Sequence, residues 1–268
     1  MKSPVALIIF DGWGIAPASR GNGVSLAKIP NFNKYITTYF SATLQASGEA
    51  VGLPYGEVGN SEVGHLNLGA GKIVYQNLPR INKAILDGTF FTNEIFLGAC
   101  SHVKKNNSAL HFFGLVSNGG THSFNEHLFG LLELAKKEKV DSVFIHAFLD
   151  GRDTAYNSGL EFIKELQKKI DQIGIGKIAT ISGRFYAMDR DNHWDRIEKT
   201  YLAITEGQAE KSFNDPIEAI QDSYNKNIFD EEFLPTVLLN ENKEPIAKVQ
   251  NNDAVIFFNF RIDRPRQL

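Results

Sequence analysis

The chain has 268 residues, of which 43% are hydrophobic and 22% charged, and its formal net charge is −3. This is the balance of a globular protein with ample core, built as one large domain or two ordinary ones. It offers no overall attraction to nucleic acid or an acidic membrane surface, so any anion site has to come from local basic clusters.

Residues 5–10 (Val-Ala-Leu-Ile-Ile-Phe) are an apolar run too short for a signal peptide or a membrane span, and they predict a buried strand. A helix over residues 31–40 and a short strand near 42–46 follow, set among Gly-rich loops. Residues 73–80 carry no strong element and include Pro79, which predicts a crossing into a second domain there. Cys100 lies in a helix-like stretch. As the only cysteine it cannot close an internal disulfide; it suits a reducing cytosol and reads as a small buried hydrophobe.

Continuous apolar runs then recur at residues 109–116, 142–149, 177–182 and 254–260. Runs without alternation fit strands covered on both faces of a mainly parallel sheet. Helical patterns lie between them at residues 124–139, 157–173, 193–206 and 215–225. The alternation is that of an α/β protein. About seventy N-terminal residues with so few strands cannot complete a sheet of their own, and no closing helix follows the last strand. Both features lead us to expect a truncated chain.

In open α/β sheets ligands bind beyond the carboxyl ends of the strands, so the residues after each run carry the functional information. Asp11-Gly12 follows the first run. A carboxylate there is a hard oxygen donor fit for Mn²⁺ or Mg²⁺, although Asp-Gly is also a common turn pair. In Gly59-Asn60-Ser61-Glu62, Ser61 stands where an N-cap opens a helix. The helix dipole and free amides there favour a phosphoryl group, yet an ordinary capping serine has the same signature. As a nucleophile Ser61 needs a base or a metal to take its proton, and Asp11 can supply the metal.

His122 follows Gly119 and Gly120 in a loop and reads as ligand-facing, whereas His65, His111 and His146 lie in or beside apolar runs and read as structural. Nine arginines stand against nineteen lysines in the chain. Even so, Arg152, Arg184, Arg190, Arg261 and Arg264 all sit in loops after strands, and no lysine does. The planar guanidinium fork grips carboxylate or phosphate with paired hydrogen bonds, which lysine cannot do. Arg–Asp pairing with Asp153, Asp189 and Asp263 is the competing account. No G-x-G-x-x-G or Walker-type loop follows any strand, which disfavours a nucleotide site.

The runs FDGWG, GNSEVGHLNLGAG, SNGGTHS, HAFLDGRDT, SGRFYAMDRD and FFNFRIDRPRQL, in this order and spacing, resemble cofactor-independent (2,3-bisphosphoglycerate-independent) phosphoglycerate mutases over essentially the whole chain. The resemblance implies an incomplete alkaline-phosphatase-like segment, residues 1–76, and an inserted α/β substrate-binding domain, residues 77–268. It implies interconversion of 3-phosphoglycerate and 2-phosphoglycerate through a phosphoserine, with two divalent ions, usually Mn²⁺ with Mg²⁺ as the alternative, and no 2,3-bisphosphoglycerate. Asp11 and Ser61 would be metal ligands, and Ser61 the phosphoryl acceptor. His122, Arg152, Asp153, Arg184, Arg190, Arg261 and Arg264 would hold the substrate, with Asp153 moving the glycerate hydroxyl proton. The partner implied is phosphoglycerate, with neither nucleic acid nor membrane, in a cytoplasmic protein that is a monomer at full length. The family's remaining metal ligands and a phosphate-assisting lysine have no counterpart here, so the chain alone is expected to show little mutase activity. A metal-dependent phosphatase of the same superfamily, or an inactive phosphoglycerate-binding fragment, are the alternatives.

Overall fold

The structure, a computed structural model, describes residues 3–268. The chain divides into two compact units, Met1–Pro79 and Arg80–Leu268.

The first unit contains helices α1 (Gly23–Leu26), α2 (Pro30–Thr38) and α3 (Ser61–Ala70), with a 3-10 turn at Gly48–Val51. Pro30 opens α2 at a position where its missing N–H costs nothing. Neither strand predicted for this unit is present among the described residues. Residues 5–10 are non-regular and expose their apolar side chains, Val5 at 97% and Leu7 at 76%. The run has the composition of a strand, but a strand also requires a neighbour to take its amides and carbonyls. The unit's buried apolar cluster is correspondingly small: Val51, Leu53 and Val63.

Helix α4 (Asn77–Asp87) takes up residues 77–80 of the stretch read as a crossing without a strong element. Pro79 lies in its first turn, where amides have no intrahelical acceptor and proline is tolerated. Helix α5 (Glu94–Asn106) opens on Asn93, whose side chain accepts the amides of Ile95 and Phe96, and it buries Cys100 in the main core.

The second unit is built on a six-stranded sheet, β1 (Leu110–Leu115), β2 (Val143–Leu149), β3 (Lys177–Gly183), β4 (Lys211–Phe213), β5 (Thr236–Leu238) and β6 (Ala254–Phe257), in the order β4-β5-β3-β2-β1-β6. Every neighbouring pair is parallel except β3 with β5. The short strands β4 and β5 are absent from the sequence reading, since three residues carry too little pattern to stand out. Helices α6 (Asn125–Lys137), α7 (Gly159–Ile173), α8 (Arg184–Ala187), α9 (Trp194–Thr205) and α10 (Pro216–Asn225) connect the strands.

All six residues of β1 are buried, as a strand covered on both faces must be. Leu110 and Phe112 enter the larger core with Leu128, Leu132, Ile145 and Ile163; Phe113 and Leu115 enter a second cluster with Phe148, Met188 and Ile204. Each large side chain so buried contributes about 1.5–3 kcal/mol. His111 and His146 are fully buried and hydrogen-bond each other at 2.9 Å, ending on Asp253 at one side and Thr180 at the other. They are structural, as expected.

The chain runs from β1 outward through β2 to β3 and later returns to place β6 on the other side of β1. This makes the carboxyl ends of β1 and β6 a switch point, the location at which open α/β sheets leave a crevice.

Candidate anion-binding and phosphoryl-transfer site

In the first unit Ser61 Oγ donates a 2.6 Å hydrogen bond to Oδ2 of Asp11. Asn60, not Ser61, is the N-cap: its side chain accepts the Val63 amide at 2.9 Å. Ser61 therefore occupies the first helical position with its hydroxyl free to point elsewhere. His65, expected in an apolar setting, is exposed, and its Nδ1 lies 2.8 Å from the Ser61 carbonyl oxygen and 3.3 Å from Ser61 Oγ. A carbonyl oxygen only accepts, so in the tautomer that makes this bond Nδ1 is the donor and is not available as a base toward the Ser61 hydroxyl. Gly59 passes so close to Ala46 that a Cβ would stand 1.7 Å from the Ala46 oxygen.

In the second unit the loops after β1, β2, β3 and β6 bring a chain of charged side chains together. Nη1 of Arg184 lies 2.6 Å from Asp153 Oδ2 and 2.7 Å from Asp150 Oδ1. His122 Nε2 is 3.9 Å from Asp153, and its Nδ1 is 3.9 Å from Asp263. Asp263 in turn accepts from Arg190 at 2.8 Å and has Arg261 Nε at 3.9 Å. Arg264 donates to the Met188 carbonyl at 2.9 Å. Arg152 is the outlier: its guanidinium is 58% exposed and meets Glu231 at 3.6 Å. Asp189, a suggested arginine partner, instead accepts from His193 and lies 3.6 Å from Arg196.

The backbone supports this arrangement. The Phe260 amide donates to the His122 carbonyl at 2.9 Å, and the Asn259 side chain accepts the Leu115 amide at 2.9 Å, so β6 and its loop hold the β1 loop. Gly119 packs against Asp153, where a Cβ would meet the Asp153 Cβ at 3.0 Å.

The electrostatics are those of crowded cations. Burial, followed by repulsion from Arg184, Arg190 and Arg152, disfavours the charge on Arg264. Burial, then the Arg184 guanidinium, pulls His122 down to about 4 despite Asp153 and Asp263, so His122 is neutral at pH 7. Burial alone would raise the Asp263 carboxyl, but the Arg190 hydrogen bond and Arg261 hold it below its ordinary range. Four atoms of the cluster are buried without a hydrogen-bond partner: Arg184 Nε, Arg264 Nε, His122 Nδ1 and Asp263 Oδ1. Buried polar groups in native proteins are nearly always paired, so unpaired polar atoms gathered among these loops mark a place for a polar ligand.

The family model described as BPG-independent PGAM N-terminus matches residues 81–268. The chain belongs to this family. It is 56% identical over 267 residues to the 2,3-bisphosphoglycerate-independent phosphoglycerate mutase of Clostridium beijerinckii, covering 100% of this chain and 52% of that protein. It is 54% identical, with the same coverage, to the enzyme of that name from Clostridium perfringens. A crystal structure of Leishmania mexicana phosphoglycerate mutase at low cobalt concentration superposes with a TM-score of 0.73 at 32% identity, over 96% of this chain and 48% of that one. The chain spans about half the length of the curated phosphoglycerate mutases it matches.

The sequence reading left Asp150, Ser117 and Asn259 out of the site, although they organise its loops. Asp150 carried a usable signal, being a carboxylate at the end of an unbroken apolar strand. Burial there requires partners, and partners place it among the site loops.

Proposed function

We propose that this chain holds phosphoglycerate and carries the acceptor serine of a 2,3-bisphosphoglycerate-independent phosphoglycerate mutase, interconverting 3-phosphoglycerate and 2-phosphoglycerate. The observation that carries this reading is the set of unpaired buried nitrogens on Arg184, Arg264 and His122, within a cluster whose guanidinium groups repel one another. A phosphorylated carboxylic acid offers two anionic heads to such a set, and Arg forks match both.

Residues 1–76 fit the first segment of an alkaline-phosphatase-like metal domain, and residues 77–268 an inserted substrate-binding domain. Arg152, Arg184, Arg190, Arg261 and Arg264 would bind and orient the substrate, and neutral His122 would hydrogen-bond it. Transfer forms a bond from Ser61 Oγ to phosphorus and breaks the phosphorus–oxygen bond to glycerate, the proton lost by Ser61 being matched by one that the departing glycerate oxygen takes up. The freed glycerate is held by the arginines at high effective concentration. Its other hydroxyl then gives its proton to Asp153 and takes the phosphoryl group back as the Ser61 Oγ–phosphorus bond breaks, and Ser61 is regenerated by taking up a proton. Retention of glycerate is what separates a mutase from a phosphatase.

The Asp11 carboxylate and the Ser61 hydroxyl, 2.6 Å apart and both exposed, are hard oxygen donors that fit Mn²⁺ or Mg²⁺. Such an ion, when bound, lowers the pKa of a coordinated hydroxyl and offsets phosphoryl charge. Among the described residues no group of three or more His, Cys, Asp or Glu side chains gathers to hold a metal, so the pair fits as part of a site. No described helix is long and apolar enough to cross a membrane. The resemblance to phosphoglycerate mutases supports a cytoplasmic protein that is a monomer at full length.

Titrating the chain with 3-phosphoglycerate by calorimetry tests the reading, and saturable 1:1 binding is expected. A parallel assay with Mn²⁺, following 2-phosphoglycerate and free phosphate, is expected to show little turnover by the chain alone. Absence of binding would remove the phosphoglycerate reading, and release of free phosphate would favour a phosphatase.

A further inference from the structure

We propose that Asp150 is the positioning residue of the anion site, a buried carboxylate that sets Arg184 and the Asp153 loop in place from below without touching the substrate. The inference rests on the phosphoglycerate reading above. Asp150 is 1% exposed. Its Oδ2 accepts the Ser117 hydroxyl at 2.5 Å, and that same hydroxyl oxygen accepts the Gly119 amide at 3.0 Å. Its Oδ1 accepts the Asp153 amide at 2.9 Å, the Arg152 amide at 3.2 Å and Nη1 of Arg184 at 2.7 Å. One carboxylate thus joins the loops after β1, β2 and β3, and it does so from the end of β2, the strand between the other two.

The choice of a charged group is chemically pointed. Burial opposes ionisation of Asp150, but the hydrogen bonds from Ser117, the Asp153 amide and Arg184 outweigh it and keep the carboxyl ionised. A carboxylate offers about four acceptor positions on two oxygens, while an amide offers one oxygen and two donors. Asparagine at 150 would retain the size and lose the acceptor count. It would turn an N–H toward either Ser117 or the Arg184 fork. Nη1 of Arg184 would then be held by Asp153 alone, which is itself 20% exposed.

The two possible roles of the charge predict opposite signs. If Asp150 acted only through its field, deleting a negative charge beside an anion site would tighten phosphoglycerate binding, and more so at low salt. If it positions Arg184, deletion weakens binding although the site becomes more positive.

The test uses the whole chain carrying Asp150→Asn and, separately, Ser117→Ala, which removes only the Oδ2 anchor. Calorimetry with 3-phosphoglycerate at low and high salt is expected to show weakening of about tenfold or more for D150N, and about threefold for S117A. The Arg184 Nε–H resonance in a nitrogen-15 correlation spectrum is expected to shift and broaden in D150N, with wild-type signals retained for amides of α10. Unchanged or tighter binding by D150N, or an unmoved Arg184 resonance, would overturn the proposal. Should D150N not fold, S117A decides: unchanged affinity and an unmoved Arg184 signal overturn it. If wild type binds no phosphoglycerate, the reading of the ligand fails while the Arg184 resonance still judges the positioning role.

Discussion

Oδ2 of Asp153 accepts a 2.6 Å hydrogen bond from Nη1 of Arg184, so the acid assigned to proton transfer is ion-paired with a cation assigned to the substrate. The carboxylate competes with any incoming anion for that guanidinium. Asp153→Asn is therefore expected to bind 3-phosphoglycerate at least as tightly as the parent chain at pH 7, while removing the group proposed to accept a hydroxyl proton. Calorimetry checks the first point; a loss of affinity beyond about threefold would contradict the competition.

Arg184→Lys keeps the charge and discards the fork. The ammonium is a point charge on a flexible stem and cannot bridge Asp150, Asp153 and a ligand as the planar group does. A rise in Kd for 3-phosphoglycerate of about ten- to a hundredfold is expected, with a lower thermal midpoint because the fork is buried against Asp150. Equal affinity for the lysine variant would show that the fork is unused.

Gly151 adopts φ +67°, and a Cβ there would stand 2.7 Å from the Glu231 amide nitrogen and 2.9 Å from the Asp230 Cβ. Gly151→Ala combines a left-handed backbone with a backbone clash. It should lower stability by about 1–3 kcal/mol in urea denaturation and loosen the loop that carries Arg152 and Asp153.

Stability should rise with pH between about 4 and 6.5. Burial pulls His127 down to about 4, and His122 behaves likewise. An unfolded histidine takes up its proton near pH 6.5, so protonation favours the unfolded chain throughout that window. Each such group contributes a slope of at most about 1.4 kcal/mol per pH unit. Asp230 works in the other direction. Burial raises it to about 6, so its contribution is full below its unfolded value and lost as pH rises through 6. His127→Gln should flatten the dependence of the urea midpoint on pH, and Asp230→Asn should steepen it.

Asp11 and Ser61 supply two oxygens, fewer than Mn²⁺ ordinarily takes (about six). Paramagnetic titration of the chain should report weak Mn²⁺ binding that Asp11→Asn reduces further. Binding unaffected by that change would place the ion elsewhere.

Much of the second unit could be read directly from residue order. The runs at residues 109–116, 142–149, 177–182 and 254–260 became β1, β2, β3 and β6, because an unbroken apolar segment is satisfied only between two covering layers. Loop residues after those strands were legible for the same reason: parallel strands send all their carboxyl ends to one side. The same rule marks His122, Arg184 and Arg190, which the folded chain links through Asp153 and Asp263.

Pairing was beyond the sequence. Residues 5–10 have the composition of a strand, but strand formation depends on a neighbour's hydrogen bonds, which no property of the run itself supplies. Whether Arg190 meets Asp189 or Asp263 is likewise a matter of distance across the fold, and Asp263 prevailed at 2.8 Å from a position 73 residues away. The burial of His122, the turning of Arg152 toward Glu231 and the gathering of loops on Asp150 depend on the same thing. Residue type sets what a side chain can bond, and only the folded chain sets which partner comes within reach.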